Sequence, residues 1–219
     1  EIYTRIEERS KKAFEALKSS KGGPYLVTPD CPPALAALSA LSLSSEEAKQ
    51  VAALQMSARI YQTQNHALRV QWMKHQLLEE KALLATGKKL FKYGAVHLPR
   101  GESLLKVYDL GNFVHNLADS RFENTLHIMI VGRKGTRGVP FRGLKPQRFD
   151  ETDENLKSLA PFFTAYPAIP QHWQTFDLRR LRTGEPLTFD NVTLRRIVEG
   201  YDFLVVIPEV TPAPLLKLE

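Results

Sequence analysis

Cysteine is nearly absent from this chain, which holds a single one, Cys31, in 219 residues. A lone cysteine cannot form an internal disulfide, so the disulfide-stabilised classes of secreted protein are excluded. This usage is typical of a reducing environment. We therefore expect the protein to reside in the mitochondrial matrix or another reducing intracellular compartment.

Long apolar runs are missing as well. The most apolar short stretch, FLVVI from Phe203 to Ile207, is far shorter than the roughly 20 residues that a membrane-spanning helix needs. We expect no membrane span. Because the chain begins with Glu1 instead of Met, we also expect that a targeting peptide, a tag or a disordered tail precedes it.

Recognisable catalytic and cofactor motifs are absent too. The six histidines contain no H-x-x-x-H pair, no G-x-S-x-G elbow occurs, and Arg137 stands where a P-loop starting at Gly132 would need glycine. The acids Glu151, Asp153 and Glu154 suit the first turn of a following helix, where negative charge is favourable. We predict no metal site, no cofactor and no enzymatic activity.

The apolar pattern that is present indicates an α+β fold. Residues 1–93 are predicted to form a helical region, with a long N-terminal arm or hairpin, and residues 94–208 a small mixed α/β domain. Residues 209–219 are a Pro-rich tail. A first helix is predicted from apolar residues at helical spacing between Ile2 and Leu17.

The strongest helical signal begins at Ser44, which can form a capping box with Glu47. No glycine or proline follows until Gly87, which predicts one projecting helix over about 44–86. A seam of apolar residues on this helix, interrupted at Asn65, consists of Val51, Leu54, Ala58, Tyr61, Leu68 and Trp72. Of these, Leu54, Tyr61, Leu68 and Trp72 are predicted to pack against partner helices. The helix is either an arm that contacts neighbouring subunits or half of a long hairpin within one domain.

The mixed domain should contain strands over Leu104–Leu110, Thr125–Val131 and Tyr201–Pro208, with Pro208 ending the last strand. Short helices are predicted between them, including one over Phe113–Ala118 and one that ends at Gly200.

The net charge of +6 is concentrated in the first two thirds of the chain. Its most unusual stretch, residues 130–148, contains four glycines, two prolines and no acid. The six cations of this basic Gly/Arg loop, at 132–148, are Arg133, Lys134, Arg137, Arg142, Lys145 and Arg148. Because closely spaced glycines let backbone N–H groups converge, we predict an anion-binding concavity surrounded by these cations.

Part of this loop, IVGRKG from Ile130 to Gly135, resembles the G-x-x-G turn of KH-type RNA-binding domains, which holds a nucleic-acid backbone. That turn links two helices, whereas a strand is predicted before Gly132 and Pro140 prevents a helix after it. The sequence therefore excludes a KH domain while retaining the phosphate chemistry. A solvated β-hairpin loop and an acidic partner other than RNA are the alternatives for this stretch.

A second basic stretch, with Lys88, Lys89 and Lys92, is predicted to end the long helix, where cations also complement the helix dipole. Together these features lead us to expect a non-catalytic structural subunit of a large ribonucleoprotein. An organellar, mitochondrial-type ribosomal protein that binds rRNA phosphates and neighbouring protein subunits fits them best. An accessory subunit of a protein-only organellar complex and a phosphate-substrate enzyme are the alternatives.

Overall fold

The computed structural model of the chain describes residues 25–138, 145–165, 172–183 and 191–212, with positions 4, 7, 8, 11 and 12. The described residues form two compact units, one ending at Glu80 and the other beginning at Lys81. The predicted first helix lies outside the described residues except for those five positions, which are helical. No helix in the described part of the chain is long and apolar enough to cross a membrane.

The first unit is built from helices. A 3-10 turn at Tyr25–Val27 precedes α1 (Cys31–Ser39), α2 (Ser45–Thr63) and α3 (His66–Glu79). Pro32 and Pro33 favour the start of α1, and the Ser44–Glu47 capping box begins α2 as predicted. Cys31, Leu35, Ala58 and Tyr25 form a small buried cluster. Burial raises the pKa of the Cys31 thiol, which therefore acts as a small apolar core residue.

The helical stretch over 44–86 is interrupted, so the prediction of one continuous helix is wrong. Gln64 adopts a left-handed backbone with φ of 51°, which ends α2. The side chain of Asn65 then accepts a hydrogen bond from Leu68 N at 2.9 Å and begins α3. A second break at Glu80 separates α3 from α4 (Lys81–Leu84). Local capping chemistry outweighs helix propensity here, because Asn favours the N-cap position.

This break also divides the predicted seam. Leu54 and Tyr61 lie on α2 and are 40% and 44% exposed, whereas Leu68 and Trp72 lie on α3 and are partly buried. The buried residues of α2 are Val51 and Ala58, which belong to the same predicted seam. The four predicted contact residues therefore do not follow a single helix axis.

The second unit contains a four-stranded mixed sheet with helices around it, which confirms the α+β fold class. Its strands are β1 (Ile128–Arg137), β2 (Gln147–Phe149), β3 (Gln174–Asp177) and β4 (Phe203–Val210). They lie in the order β2-β1-β4-β3. β1 and β4 are parallel, and β2 and β3 are antiparallel to their neighbours.

One face of this sheet carries the core of the unit. Met129 of β1 and Leu204 and Val206 of β4 are buried against the helices. Those helices are α6 (Ala160–Thr164), α7 (Val192–Gly200) and the 3-10 turns Lys157–Leu159 and Leu178–Arg182. Alternate residues of β1 point the other way, and Ile128 and Ile130 are 42% and 56% exposed.

The predicted strand over Leu104–Leu110 is wrong. Lys106 has a positive φ of 60°, and Ser103 N donates to Val107 O at 2.8 Å, which closes a tight turn. Asp109 then accepts a hydrogen bond from Leu110 N at 2.7 Å and begins α5 (Leu110–Asp119). This helix contains the one predicted over Phe113–Ala118.

β4 continues to Val210, so Pro208 does not end it as predicted. The described part of β3 reaches only as far as Val206 along β4. Pro208 therefore lies where β4 has one strand neighbour, a position in which a missing N–H is tolerated.

Candidate functional site

The predicted basic loop is largely a β-hairpin. β1 extends to Arg137, and β2 pairs with it from Gly135 opposite Phe149 to Arg137 opposite Gln147. Arg133, Lys134 and Arg137 are therefore strand residues, Arg148 lies on β2 and Lys145 precedes it. Arg142 lies outside the described residues.

The glycines of the hairpin serve strand packing. Gly135 has φ of 131°, and a Cβ there would lie 2.1 Å from the carbonyl oxygen of Val210. A Cβ at Gly132 would lie 2.9 Å from the Val210 methyl groups and 3.2 Å from the Phe149 ring. Gly132 and Gly135 thus allow β4 and β2 to approach β1 closely. The predicted glycine-lined anion concavity is wrong, because these two positions belong to a strand paired on its β4 side.

Carboxylates from outside the predicted loop neutralise three of its cations. Arg133 pairs with Glu151, which follows β2 and stands opposite it when the hairpin register is continued. Arg137 contacts Asp153 at 3.0 Å. Lys134 lies 3.7 Å from Glu209 of β4. The acidic cluster predicted as a helix first turn therefore supplies counter-ions to the hairpin.

Hydrogen bonds within this acidic segment fix its shape. Asn155 N donates to Asp153 at 3.0 Å, and Thr152 N donates to Asp150 at 2.9 Å. The bonds from Asn155, assisted by the Arg137 guanidinium, hold the pKa of Asp153 below its ordinary value. The carboxylate is thus fixed in its charged form beside Arg137, whose guanidinium also lies 5.5 Å from the centre of the Phe149 ring.

Among the described residues of the hairpin, the cationic charge that remains comes from Lys145 and Arg148. Both are exposed, and no carboxylate partner for either occurs within the described ranges. Arg148 and Lys134 line an open depression of about 580 Å³, to which Asp150, Asp153 and Glu209 also contribute. Its mixed charge suits an extended polar partner better than a small anion.

The second basic stretch has no regular secondary structure. α4 ends at Leu84, so the prediction that Lys88, Lys89 and Lys92 lie in a last helical turn is wrong. Lys88 and Lys92 are exposed and have no ion pair among the residues that the structure describes, while Lys89 donates to the Thr86 carbonyl oxygen. Leu90 beside them is 93% exposed and Tyr93 is 48% exposed. The helix dipole therefore does not account for this cluster.

Another basic group lies at the end of β3. Arg179 donates twice to Asp177 at 2.9 Å and lies 4.7 Å from the centre of the Phe203 ring. These hydrogen bonds lower the pKa of Asp177 to about 2. Arg180 is exposed and lies 4.0 Å from the same carboxylate. Asp177 therefore neutralises only part of the charge of this pair.

A buried polar network in the second unit was not predicted. The carboxylate of Asp202 accepts from Arg100 Nη1 at 2.8 Å and from His127 N at 2.8 Å, and Arg182 Nη1 lies at 3.6 Å. Arg182 Nε also donates to Val198 O at 2.7 Å. Burial alone would raise the pKa of Asp202, but the Arg100 and His127 hydrogen bonds outweigh it and lower that pKa.

His127 continues this network through its ring. Nδ1 lies 2.6 Å from the Leu98 carbonyl oxygen, which requires that Nδ1 carries the proton and donates it. Nε2 then accepts from Thr125 Oγ1 at 3.0 Å, and Thr125 Oγ1 accepts from His115 Nδ1 at 2.8 Å. Burial lowers the pKa of His127. These contacts connect α5 with the residues that lead into β1.

Comparison of the chain with protein-family models, curated proteins and solved structures finds no significant match.

Proposed function

We propose that this protein is a non-catalytic structural subunit of a large ribonucleoprotein, of the organellar, mitochondrial-type ribosomal class, and that its exposed cations bind RNA phosphates. The observation that carries this proposal is the stretch Lys88–Tyr93. It presents three exposed lysines beside exposed apolar and aromatic side chains, in an irregular segment. Lysine contacts phosphate as a point charge, and an exposed tyrosine such as Tyr93 can stack on an unpaired base.

The hairpin adds to this surface in a more limited way than the sequence suggested. Glu151, Asp153 and Glu209 already hold three of its cations, so among its described cations the phosphate contacts fall to Lys145 and Arg148. In this proposal the paired arginines Arg133 and Arg137 maintain the hairpin. RNA binding then depends on the cations that lack a carboxylate partner.

Sedimentation of the native protein from a gentle lysate, with and without ribonuclease, tests the assembly. A large particle that ribonuclease breaks down supports the proposal, and sequencing of its RNA identifies the complex. Slow sedimentation as a small species would contradict the assignment to any large assembly.

Binding of the purified protein to a fluorescent 30-nucleotide poly-U, measured by anisotropy at several salt concentrations, tests the residues. The variant Lys88→Glu, Lys92→Glu, Arg148→Glu should reduce the magnitude of the log–log salt slope by about 2, since each phosphate contact contributes about 0.7. The matched control is Lys12→Glu, Lys49→Glu, Lys157→Glu, which changes the net charge equally. Equal losses in both variants would mean that net charge alone drives the binding.

Exposed apolar side chains favour one alternative, an accessory subunit of a protein-only complex. Phe122 is 99% exposed, Trp173 66% and Leu126 60%, and side chains of this kind are enriched where proteins contact each other. This alternative predicts a large particle that ribonuclease leaves intact.

A further inference from the structure

The strand β1 has one edge that the described part of the protein leaves partly unpaired. β4 pairs with β1 from Ile128 to Gly135, but on the opposite side β2 pairs only with Gly135 to Arg137. In the described ranges, no strand and no hydrogen bond from another element reaches the backbone of Ile128–Gly132 on that side. A strand with one neighbour directs about half of its backbone donors and acceptors outward.

This open edge lacks the devices that normally prevent strand addition. Exposed edges are usually protected by lysines, prolines, bulges or very short strands. The stretch Ile128–Gly132 reads IMIVG, with no charge and no proline, and its outward side chains Ile128 and Ile130 are 42% and 56% exposed. The other outer strand, β3, is only four residues long and ends in the Asp177–Arg179 ion pair.

We propose that Ile128–Gly132 is a docking site at which an extended segment of a partner protein adds a strand to the sheet, in line with β2. A row of backbone donors and acceptors at strand spacing is satisfied along its length by another extended chain. Ile128 and Ile130 select aliphatic side chains at alternate positions of that segment.

A second copy of this chain fits the edge poorly, because β2 occupies the same side of β1. In an antiparallel pairing centred on Val131, Gly135 of one copy would stand opposite His127 of the other. The β2 strand that pairs with Gly135–Arg137 would then fall on residues 125–127 of the other copy, since neighbouring strands lie only about 4.8 Å apart. A single extended segment meets no such obstacle.

A phage-displayed library of random twelve-residue peptides, selected on the full-length protein, provides the probe. Enriched peptides should carry aliphatic residues at alternate positions. A synthetic copy of the enriched peptide should slow hydrogen exchange of amides within 128–134, and the variant Ile130→Lys should bind it about tenfold or more weakly.

The matched control is Thr175→Lys, because Thr175 stands opposite Val205, which in turn stands opposite Ile130. Thr175→Lys introduces the same positive charge at the same register position of the sheet, but on β3, two strands away from β1. Equal weakening by both variants would show that the ligand covers the sheet face and would overturn the edge assignment. Failure to enrich peptides, or peptides that leave amides 128–134 unprotected, would also overturn it. Self-association of the protein that protects these amides would overturn the proposal of a separate partner, because it would show that the added strand comes from a second copy of this chain.

Discussion

Nη1 of Arg100 donates a 2.8 Å hydrogen bond to Oδ1 of Asp202 across 102 residues of sequence. Asp202 is 4% exposed and also accepts from the backbone of His127, at the start of β1. The buried carboxylate of Asp202, which precedes β4, therefore connects two other segments of the chain. One contains Arg100 and precedes α5, and the other contains His127 and leads into β1. A charge in such a position is stable only while its partners are present.

The variant Asp202→Asn should destabilise the protein by about 3 to 5 kcal/mol, because it leaves Arg100 and Arg182 without their buried counter-charge. Urea unfolding at pH 7 measures this loss. Asp119→Asn, at an exposed acid that ends α5, is the control and should change the free energy of unfolding by no more than about 0.5 kcal/mol. A similar small change for Asp202→Asn would mean that the network contributes little to stability.

The buried ring of His127 should make stability depend on pH. Burial lowers its pKa, the Leu98 carbonyl and Asp202 partly offset this, and Arg100 and His115 lower it further. The folded protein therefore binds this proton less readily than the unfolded chain, whose histidine has a pKa of about 6.5. The contribution of the neutral His127 ring to the free energy of unfolding is therefore complete above about pH 6.5. It decreases as the pH falls towards the lowered pKa of His127 in the folded protein.

Urea unfolding of the protein and of His127→Gln between pH 5 and 8 tests this dependence. The slope of the unfolding free energy below pH 6.5 should be smaller in the variant, by at most about 1.4 kcal/mol per pH unit. Identical slopes would show that His127 titrates equally in both states.

Substitution of Gln64 distinguishes a helix break at this residue from one continuous helix, because the two structures predict opposite changes in stability. Gln64→Gly should stabilise the protein by up to about 1 kcal/mol, because glycine adopts φ of 51° without strain. In one continuous helix the same change would cost about 1 kcal/mol. Thermal unfolding measures the sign, and Gln62→Gly, in the interior of α2, should be destabilising.

Sequence reasoning found the elements whose signals are local. The Ser44 capping box, the α5 region and the apolar run of β4 are each visible in a short window. It failed at Gln64, since only the αL backbone that precedes the Asn65 cap reveals the break. It also failed at Leu104–Leu110, where a strand-like composition is overridden by a turn and by the Asp109 cap.

At the candidate site, the sequence did not indicate which charged side chains form ion pairs with one another. The cations of the hairpin and the acids Glu151 and Asp153 are both visible in the sequence, but nothing in the sequence shows that they pair. Extending β1 to Arg137 and folding β2 back against it brings them together. The Arg100–Asp202 pair could not be found in this way, because sequence spacing carries no signal over such a distance.

The close approach of β1 and β4 predicts a strict requirement for glycine at position 135. Gly135→Ala should cost about 3 kcal/mol or more, since its Cβ would overlap the Val210 carbonyl oxygen and its φ would be strained. Gly101→Ala, with φ of 69° but no atom within 4 Å, should cost only about 1 to 2 kcal/mol. Chemical denaturation of both variants provides the comparison, and equal costs would contradict the steric argument.

The parallel pairing of β1 with β4 also sets when the second unit can assemble during translation. β4 is made after β1, β2 and β3, and it lies between β1 and β3 in the sheet. At about 5 to 20 residues per second, the interval between the end of β1 and the start of β4 is roughly 3 to 13 seconds. Throughout that interval the apolar stretch Ile128–Val131 of the nascent chain lacks its β4 neighbour, and unpaired apolar strands of this kind are prone to aggregate.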